Sequence, residues 1–545
     1  RAPDTVNLKN SFANLGGAIS AFENSYGPYR WNKVGYSLVP FSSGAMEHAT
    51  NIAYPRDAAD GSLFFEDLMA HELSHQWWGN LATCESAGEM WLNEGMASYS
   101  EFLFNEKVYD KDAYMQLVRT NHEYVMHLVH INENGYRALV GIPHEYTYGD
   151  HVYKKGADVA HTLRGYLGDS LFFFGLKSFL ANNQFTHINS ARFRDHLTNA
   201  TGVDLYDFFD KWVFRPGFPH FSIDSVQITP NGPNFNVKVY VKQKLTAATA
   251  YFKNAPLEIT FYDAGWNSQT VTMIIPGAAA SASYTIPFNP VFTAINADGK
   301  ISDAISSDMK VLNTPGNYKF VNNQGAHLSV NVSSITDSAL LRVEHNWTAP
   351  DPFIGPSKYK LCPNRYWKID GIFPSVYSMN GTVFYDGRQP ATPPYSSYYD
   401  HGLFKDSTDH EDSLVLLYRQ DAGKNWGEYA FYIKNIISPN DKWGQILIDS
   451  IVAGEYVFAL KGDIFKNSTS VSSITHVTCN GLCGGSASLT ASGGTAPYTY
   501  LWDLQAGGQT SSTASGLCAG VYTVTVTDAS AKTVIVSATV SQPDS

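Results

Sequence analysis

MAHELSHQWWGN, residues 69–80, sets His71, Glu72 and His75 within five positions and follows them with Trp77 and Trp78. On an α-helix, positions four apart lie one above the other, so His71 and His75 can aim imidazole nitrogens at one point. That geometry suits Zn2+, which accepts neutral imidazole at about 2.0–2.1 Å. Glu72 is rotated too far to be a ligand but reaches a water at the metal, where a carboxylate acts as general base. With 17 His and 50 acidic residues in 545, an accidental HExxH is a matter of roughly a few per cent. A second, independent feature is needed.

WLNEGMASYSE, residues 91–101, supplies it. Glu94 follows His75 by 19 residues, long enough for the first helix to stop at Gly79 and Asn80, turn, and give way to a second helix that returns a carboxylate. His71, His75 and Glu94 then make a His2Glu set with a fourth position open, the arrangement of catalytic zinc; no cysteine is spaced to close a structural site. Trp77 and Trp78 are expected to fill the core behind the zinc helix.

Outward from this stretch, the chain is too long for one core. Apolar residues make up 44%, and Phe64, Phe65, Leu68, Met69 and Leu73, like Val159, Leu163 and Leu167, recur at helical spacing. Past PGFP (216–219) the texture changes to short alternating stretches such as FNVKVYVKQ (235–243) and LEITFYDA (257–264), which predict strands. Further seams fall near 300–315 and 466–473. The expected architecture is multidomain: a mainly helical α+β catalytic domain over 1–215, then all-β sandwich modules over 216–310, 311–468 and 469–545.

A net charge of -12 with no Lys/Arg cluster leaves nucleic acid no electrostatic footprint. No run of eighteen apolar residues and no charged leader with an apolar core is present, so no membrane span is expected. Arg1 in place of Met suggests a processed or excised chain. Of five cysteines, Cys84 and Cys362 stand alone, as buried small hydrophobes usually do, while Cys479, Cys483 and Cys518 share the last stretch and could hold one disulfide.

HELSHQWWGN followed by WLNEG resembles the M1 family of zinc aminopeptidases, gluzincins with a thermolysin-like catalytic domain. Two more stretches carry the resemblance. SSGAMEHAT (42–50) matches the family's GAMEN exopeptidase motif in four of five positions, with Glu47 24 residues before His71. HVYKKGADVAHTLRGYLG (151–168) resembles the segment bearing the family's catalytic tyrosine, with Tyr153 59 residues after Glu94. The resemblance spans roughly residues 10–300. It implies that His71, His75 and Glu94 bind zinc, Glu72 activates water, and Tyr153 donates its phenolic proton to the developing oxyanion. It also implies that Glu47 receives the substrate's α-amine, while Gly44 and Ala45, on an extended stretch, offer backbone hydrogen bonds to the bound peptide. Tyr146 and Tyr148 are the nearest substitutes for Tyr153. Asn80 and Asn93 are candidate hydrogen bonders around the metal, and Asp158 is expected to be a surface charge.

Two departures stand out. His48 occupies the motif's fifth position, where the family has Asn. The family also carries a sizeable β-rich domain before the motif, whereas 43 residues precede Gly44, which implies an excised piece or a more open cleft.

Residues 493–531, with GGTAPYTY near the start and AGVYTVTV near the end, resemble the Ig-like repeat of Bacteroidetes surface and secreted proteins. That resemblance implies export, by secretion or cell-surface attachment, and a role in adhesion or spacing; the partners left open for the C-terminal modules are the cell surface and polysaccharide. The acidic loop KDSTDHED (405–412) offers oxygen ligands for Ca2+ but fits no EF-hand spacing, so a solvated turn is expected. The expected activity is zinc-dependent release of N-terminal residues from peptide or protein substrates. The alternatives are a zinc endopeptidase with an open cleft, or a surface-binding protein with a vestigial peptidase domain.

Overall fold

The structure, a computed structural model, describes residues 2–320, 328–388, 398, 400–405, 411–436, 438, 441–462, 469–492, 495–529 and 531–543. The front of the chain is helical. α1 (Ala2–Ser11) and α2 (Leu15–Tyr26) lead into two short parallel strands, β1 (Tyr36–Val39) and β2 (Ile52–Pro55). α3 (Glu66–Ser74), α4 (Glu94–Val108) and α5 (Lys111–Tyr124) follow, and α5 continues through a π-helical turn (Val125–Val129) into α6 (His130–Asn132). A second π-helical turn (His151–Lys155) opens α7 (Gly156–Asn182), which kinks at Gly168 (φ +69°); α8 (Ser190–Thr201) and α9 (Tyr206–Phe208) complete the helical part.

Sequence period explains the packing. In α2, Ala18, Ala21, Phe22, Ser25 and Tyr26 are buried, the i, i+3, i+4, i+7 stripe of a one-faced helix. Tyr26 and Phe22 meet Trp77 behind α3, and Trp77 and Trp78 are fully buried there. They fill the core, as the spacing of the motif predicts.

Among the described residues after 217 the regular elements are strands, apart from two short 3-10 turns at Glu411–Ser413 and Leu504–Ala506. The first pair of three-stranded sheets joins Phe218–Asn231, Asn234–Thr246 and Ala279–Ile286 in one layer and Phe292–Ile295, Ala255–Tyr262 and Ser268–Ile275 in the other. Its core is continuous with the helical one: Trp212 packs edge-on against Phe252, with ring centroids 5.0 Å apart. A second pair, of seven and five strands, lies between Ile305 and Lys461 around its own core of Leu312 to Leu460. Its strand Ala339–Asn346 is buried along its whole length, although it carries Arg342, Glu344, His345 and Asn346. Two of them reach across the seam, Arg342 Nη2 donating to the Ile295 carbonyl (2.8 Å) and Asn346 Oδ1 meeting His220 Nε2 (2.7 Å), while Arg342 Nε donates to Glu344 on the same strand (2.8 Å). A third pair of three-stranded sheets, Ser470–Val540, closes around Trp502 and Val524.

Cys483 and Cys518 form a disulfide in this last unit, Cys479 is exposed, and Cys362 is buried. Cys84 is half-buried. Of the acidic loop 405–412, residues 406–410 lie outside the described residues; Glu411 is buried and accepts a hydrogen bond from Tyr385 (2.7 Å). Among the described residues no helix is long and apolar enough to cross a membrane.

Candidate active site

α3 ends at Ser74, a turn before the Gly79–Asn80 stop expected from sequence. His75 still follows in helical conformation (φ −60°, ψ −17°), so the two imidazoles lie along one face, edge to face, with ring centroids 4.8 Å apart. The chain then reverses with Gly79 at φ +120°, and a Cβ at Gly79 would lie 2.5 Å from Asn93 Oδ1. Glycine is needed on both counts, for the left-handed backbone and for the room Asn93 occupies.

Glu94 is the first residue of α4. Its Oε2 lies 3.2 Å from His71 Nε2 and 3.5 Å from His75 Nε2, and all three residues are buried. The outward nitrogens are tied down. His71 Nδ1 donates to Glu101 Oε1 (2.8 Å); His75 Nδ1 donates to Asn93 Oδ1 (2.6 Å) and the Trp78 carbonyl (3.0 Å). These acceptors place the proton on Nδ1 and leave both Nε2 lone pairs turned towards Glu94, the tautomer a metal requires. Two nitrogens and a carboxylate oxygen within 4.8 Å of one another match the donor set of catalytic zinc. Glu72 Oε2, buried and without a hydrogen-bond partner among the described residues, is the orphan that a water in the open position would satisfy. The residues therefore fit the group.

Glu47, Glu72 and His75 also converge within 4.8 Å. Burial pushes the Glu72 carboxyl up to about 7, the two histidines opposing and Glu47 and Glu94 adding to the shift. Glu47 is held in place through its backbone: Asn80 Nδ2 donates to its carbonyl (2.6 Å), as does Gln76 Nε2 (3.4 Å). Asn80 thus serves the loop that bears Glu47 rather than a histidine, and Gln76 was not foreseen. Gly44 is not extended, as the sequence suggested; it sits at φ +66°, and the strand-like pairing is confined to Met46 with Ala53. His48 is exposed.

Tyr153 lies on the π-helical turn, its ring parallel to that of His71 (centroids 6.1 Å apart, 9° between planes). Burial, then the charge of Glu94, holds the phenol well above its ordinary range, so it stays protonated. Gly44, Ala45, Glu47, His71, Glu72, His75, Glu94 and Tyr153 all line one cavity of about 510 Å3. Tyr148 also lines it; Tyr146 instead covers the Arg137 guanidinium, 3.9 Å from ring centroid to Cζ. Asp158 is no surface charge: it is buried, and its Oδ2 pairs with His122 Nδ1 (2.8 Å). Glu101 also escaped the sequence analysis, although its place seven residues after Glu94, two turns along one helical face, was a usable signal.

Residues 11–212 match the Peptidase family M1 domain and residues 471–506 the SprB repeat. Aminopeptidase N of Lactococcus lactis subsp. lactis is 29% identical over 219 residues, covering 35% of this chain and 24% of that protein. Glutamyl aminopeptidase of Bos taurus is 27% identical over 233 residues, 38% of this chain and 23% of that protein. The chain thus spans about a quarter of the length of these curated relatives. Among solved structures, aminopeptidase A of Legionella pneumophila aligns with a TM-score of 0.44 at 16% identity, covering 55% of this chain and 35% of that one. An M1 zinc metallopeptidase from Deinococcus radiodurans aligns at 0.33 and 24%, covering 37% and 43%. One chain thus joins a segment that matches the Peptidase family M1 domain to a segment that matches the SprB repeat.

Proposed function

We propose that the protein is a zinc aminopeptidase, secreted or displayed at a cell surface, built as units 1–215, 216–310, 311–468 and 469–545. The observation that carries it is the meeting, in one cavity, of a His71–His75–Glu94 donor set with the carboxylates of Glu72 and Glu47. Zinc, when bound by His71, His75 and Glu94, supplies a Lewis acid that polarises a carbonyl and acidifies water.

The chain's own groups do the rest. Glu47 pairs with the substrate's α-ammonium and so selects a free N-terminus. Glu72, with a carboxyl near neutrality, takes the proton of the attacking water and passes it to the leaving amine. Tyr153 keeps its proton until negative charge develops on the former carbonyl oxygen, then stabilises it by donation. The name aminopeptidase carried by the relatives supports this specificity, and the SprB repeat and its neighbouring disulfide support an exported location.

The test is cleavage of matched peptides with free and acetylated N-termini, read by mass spectrometry with and without a zinc chelator. Chelator-sensitive, stepwise loss of single residues from free termini is expected. Internal cuts indifferent to acetylation would make the protein an endopeptidase, and no cleavage at all would favour a binding role for the β modules.

A further inference from the structure

The turn that carries Tyr153 is braced from outside the catalytic helices. At its start, His151 donates from Nδ1 to Glu133 Oε2 (2.5 Å) and accepts the Arg137 backbone N–H at Nε2 (3.0 Å). Towards its end, Asn121 Nδ2 donates to the Lys154 carbonyl (2.8 Å) and to Asp158 Oδ1 (2.8 Å). Asp158 Oδ2 pairs with His122 Nδ1 (2.8 Å), and His122 Nε2 reaches the carbonyl of Ile305 (3.2 Å). Ile305 opens the strand that pairs with the buried strand of the second β-sandwich, Ile305 opposite Asn346. Asn121, His122 and Asp158 are all buried.

Both partners of His122 are acceptors, a carboxylate and a carbonyl, so both ring nitrogens carry protons and the imidazolium is matched by the Asp158 charge. A buried ion pair with every donor engaged holds one geometry, since breaking it strands a charge. A π-helical turn is a poorly favoured backbone form that neighbouring groups must sustain.

We infer that Asp158 is a positioning residue for Tyr153: with Asn121 and His122 it forms a strut that transmits the docking of the second β-sandwich to the turn on which the tyrosine sits. The β module is then part of the catalytic apparatus rather than a passive appendage, and the strut acts on kcat rather than on metal or peptide binding. This rests on the role proposed for Tyr153.

The test is a double-mutant cycle in the zinc-loaded full chain with Asp158→Asn and Tyr153→Phe, and Asn121→Ala as a second strut variant that leaves the His122–Asp158 pair intact. Zinc stoichiometry and thermal midpoint report whether each variant folds. Displacing a catalytic group by less than an ångström costs about 10- to 100-fold in rate, so either strut variant should lower kcat by that order with KM within about twofold. In the Tyr153→Phe background the same change should cost less than about twofold, because the group it positions has already gone. Equal losses in both backgrounds, or a folded strut variant with wild-type kcat, would overturn the strut while leaving the peptidase assignment standing. Full turnover by Tyr153→Phe alone would remove the tyrosine's role and the strut together.

Discussion

Gly95 and Gly156 face each other at the crossing of α4 and α7: a Cβ on Gly156 would lie 2.8 Å from Gly95 Cα, and one on Gly95 would lie 2.9 Å from Gly156 Cα and 2.8 Å from the Val152 carbonyl oxygen. Glu94 precedes the first glycine and Tyr153 lies three residues before the second, so this backbone contact sets the span between the Glu94 carboxylate and the Tyr153 phenol. Alanine at either position must push the helices apart, since backbone cannot rotate away as a side chain can. Gly95→Ala or Gly156→Ala should destabilise the fold by about 1–3 kcal/mol and reduce kcat in whatever fraction folds. Chemical denaturation and steady-state kinetics would check this; wild-type values in both would mean the crossing has slack.

Glu72→Gln keeps the shape of the side chain but removes its basicity. Zinc content should remain near one equivalent while kcat falls by about 10²- to 10⁴-fold. Turnover close to wild type in that variant would remove Glu72 from the chemistry.

Glu101 and Asn93 hold the Nδ1 atoms of His71 and His75, opposite the Nε2 atoms that face Glu94. Glu101→Ala and Asn93→Ala should each weaken zinc binding by about 10- to 100-fold, measured by competition with a chromophoric chelator. Under saturating zinc much of the activity should return. Unchanged affinity would mean that packing alone orients the rings.

Glu47→Ala should erode the preference for free over acetylated N-termini, by about 10- to 100-fold, with its effect chiefly in KM for peptides bearing an α-ammonium. A variant that keeps the preference would move amine recognition to another carboxylate.

Lys155, two residues after Tyr153, is buried, its ammonium donating to the Arg137 carbonyl (2.7 Å) and lying over the Phe218 ring, and burial pulls its pKa from 10.5 down to about 7. Between those values the folded chain binds fewer protons than the unfolded one, so its contribution makes stability rise with pH from about 7 upward. Lys155→Met should flatten the rise between about pH 7 and 9 in denaturant midpoints. Parallel curves for the two proteins would show that the amine stays charged when folded.

The residues that meet in the cavity were readable because helical geometry is local: four-residue spacing puts His71 and His75 on one face in any context, and the motifs around Glu94, Glu47 and Tyr153 name their residues directly. The change from helix to strand after residue 217 was equally visible as a change in apolar period. Asp158 was misread as a surface charge because its partners, Asn121 and His122 on α5, lie 37 and 36 residues earlier in the chain. Gly44 was misread as extended because glycine carries no side-chain preference from which its φ of +66° could be told.

The sequence by itself determined which donor atoms exist, how they are spaced on their helices, and where helical packing gives way to sheets. Only the tertiary structure decided that α4 and α7 cross at two glycines, that Glu101 and Asn93 hold the Nδ1 atoms of the histidines, and that Ile305 of a β-sandwich strand meets His122, the partner of Asp158. Spacing along a helix is set by the backbone's own hydrogen bonds. Contacts between distant segments depend on how whole faces fit, a sum over many weak interactions that no short stretch contains.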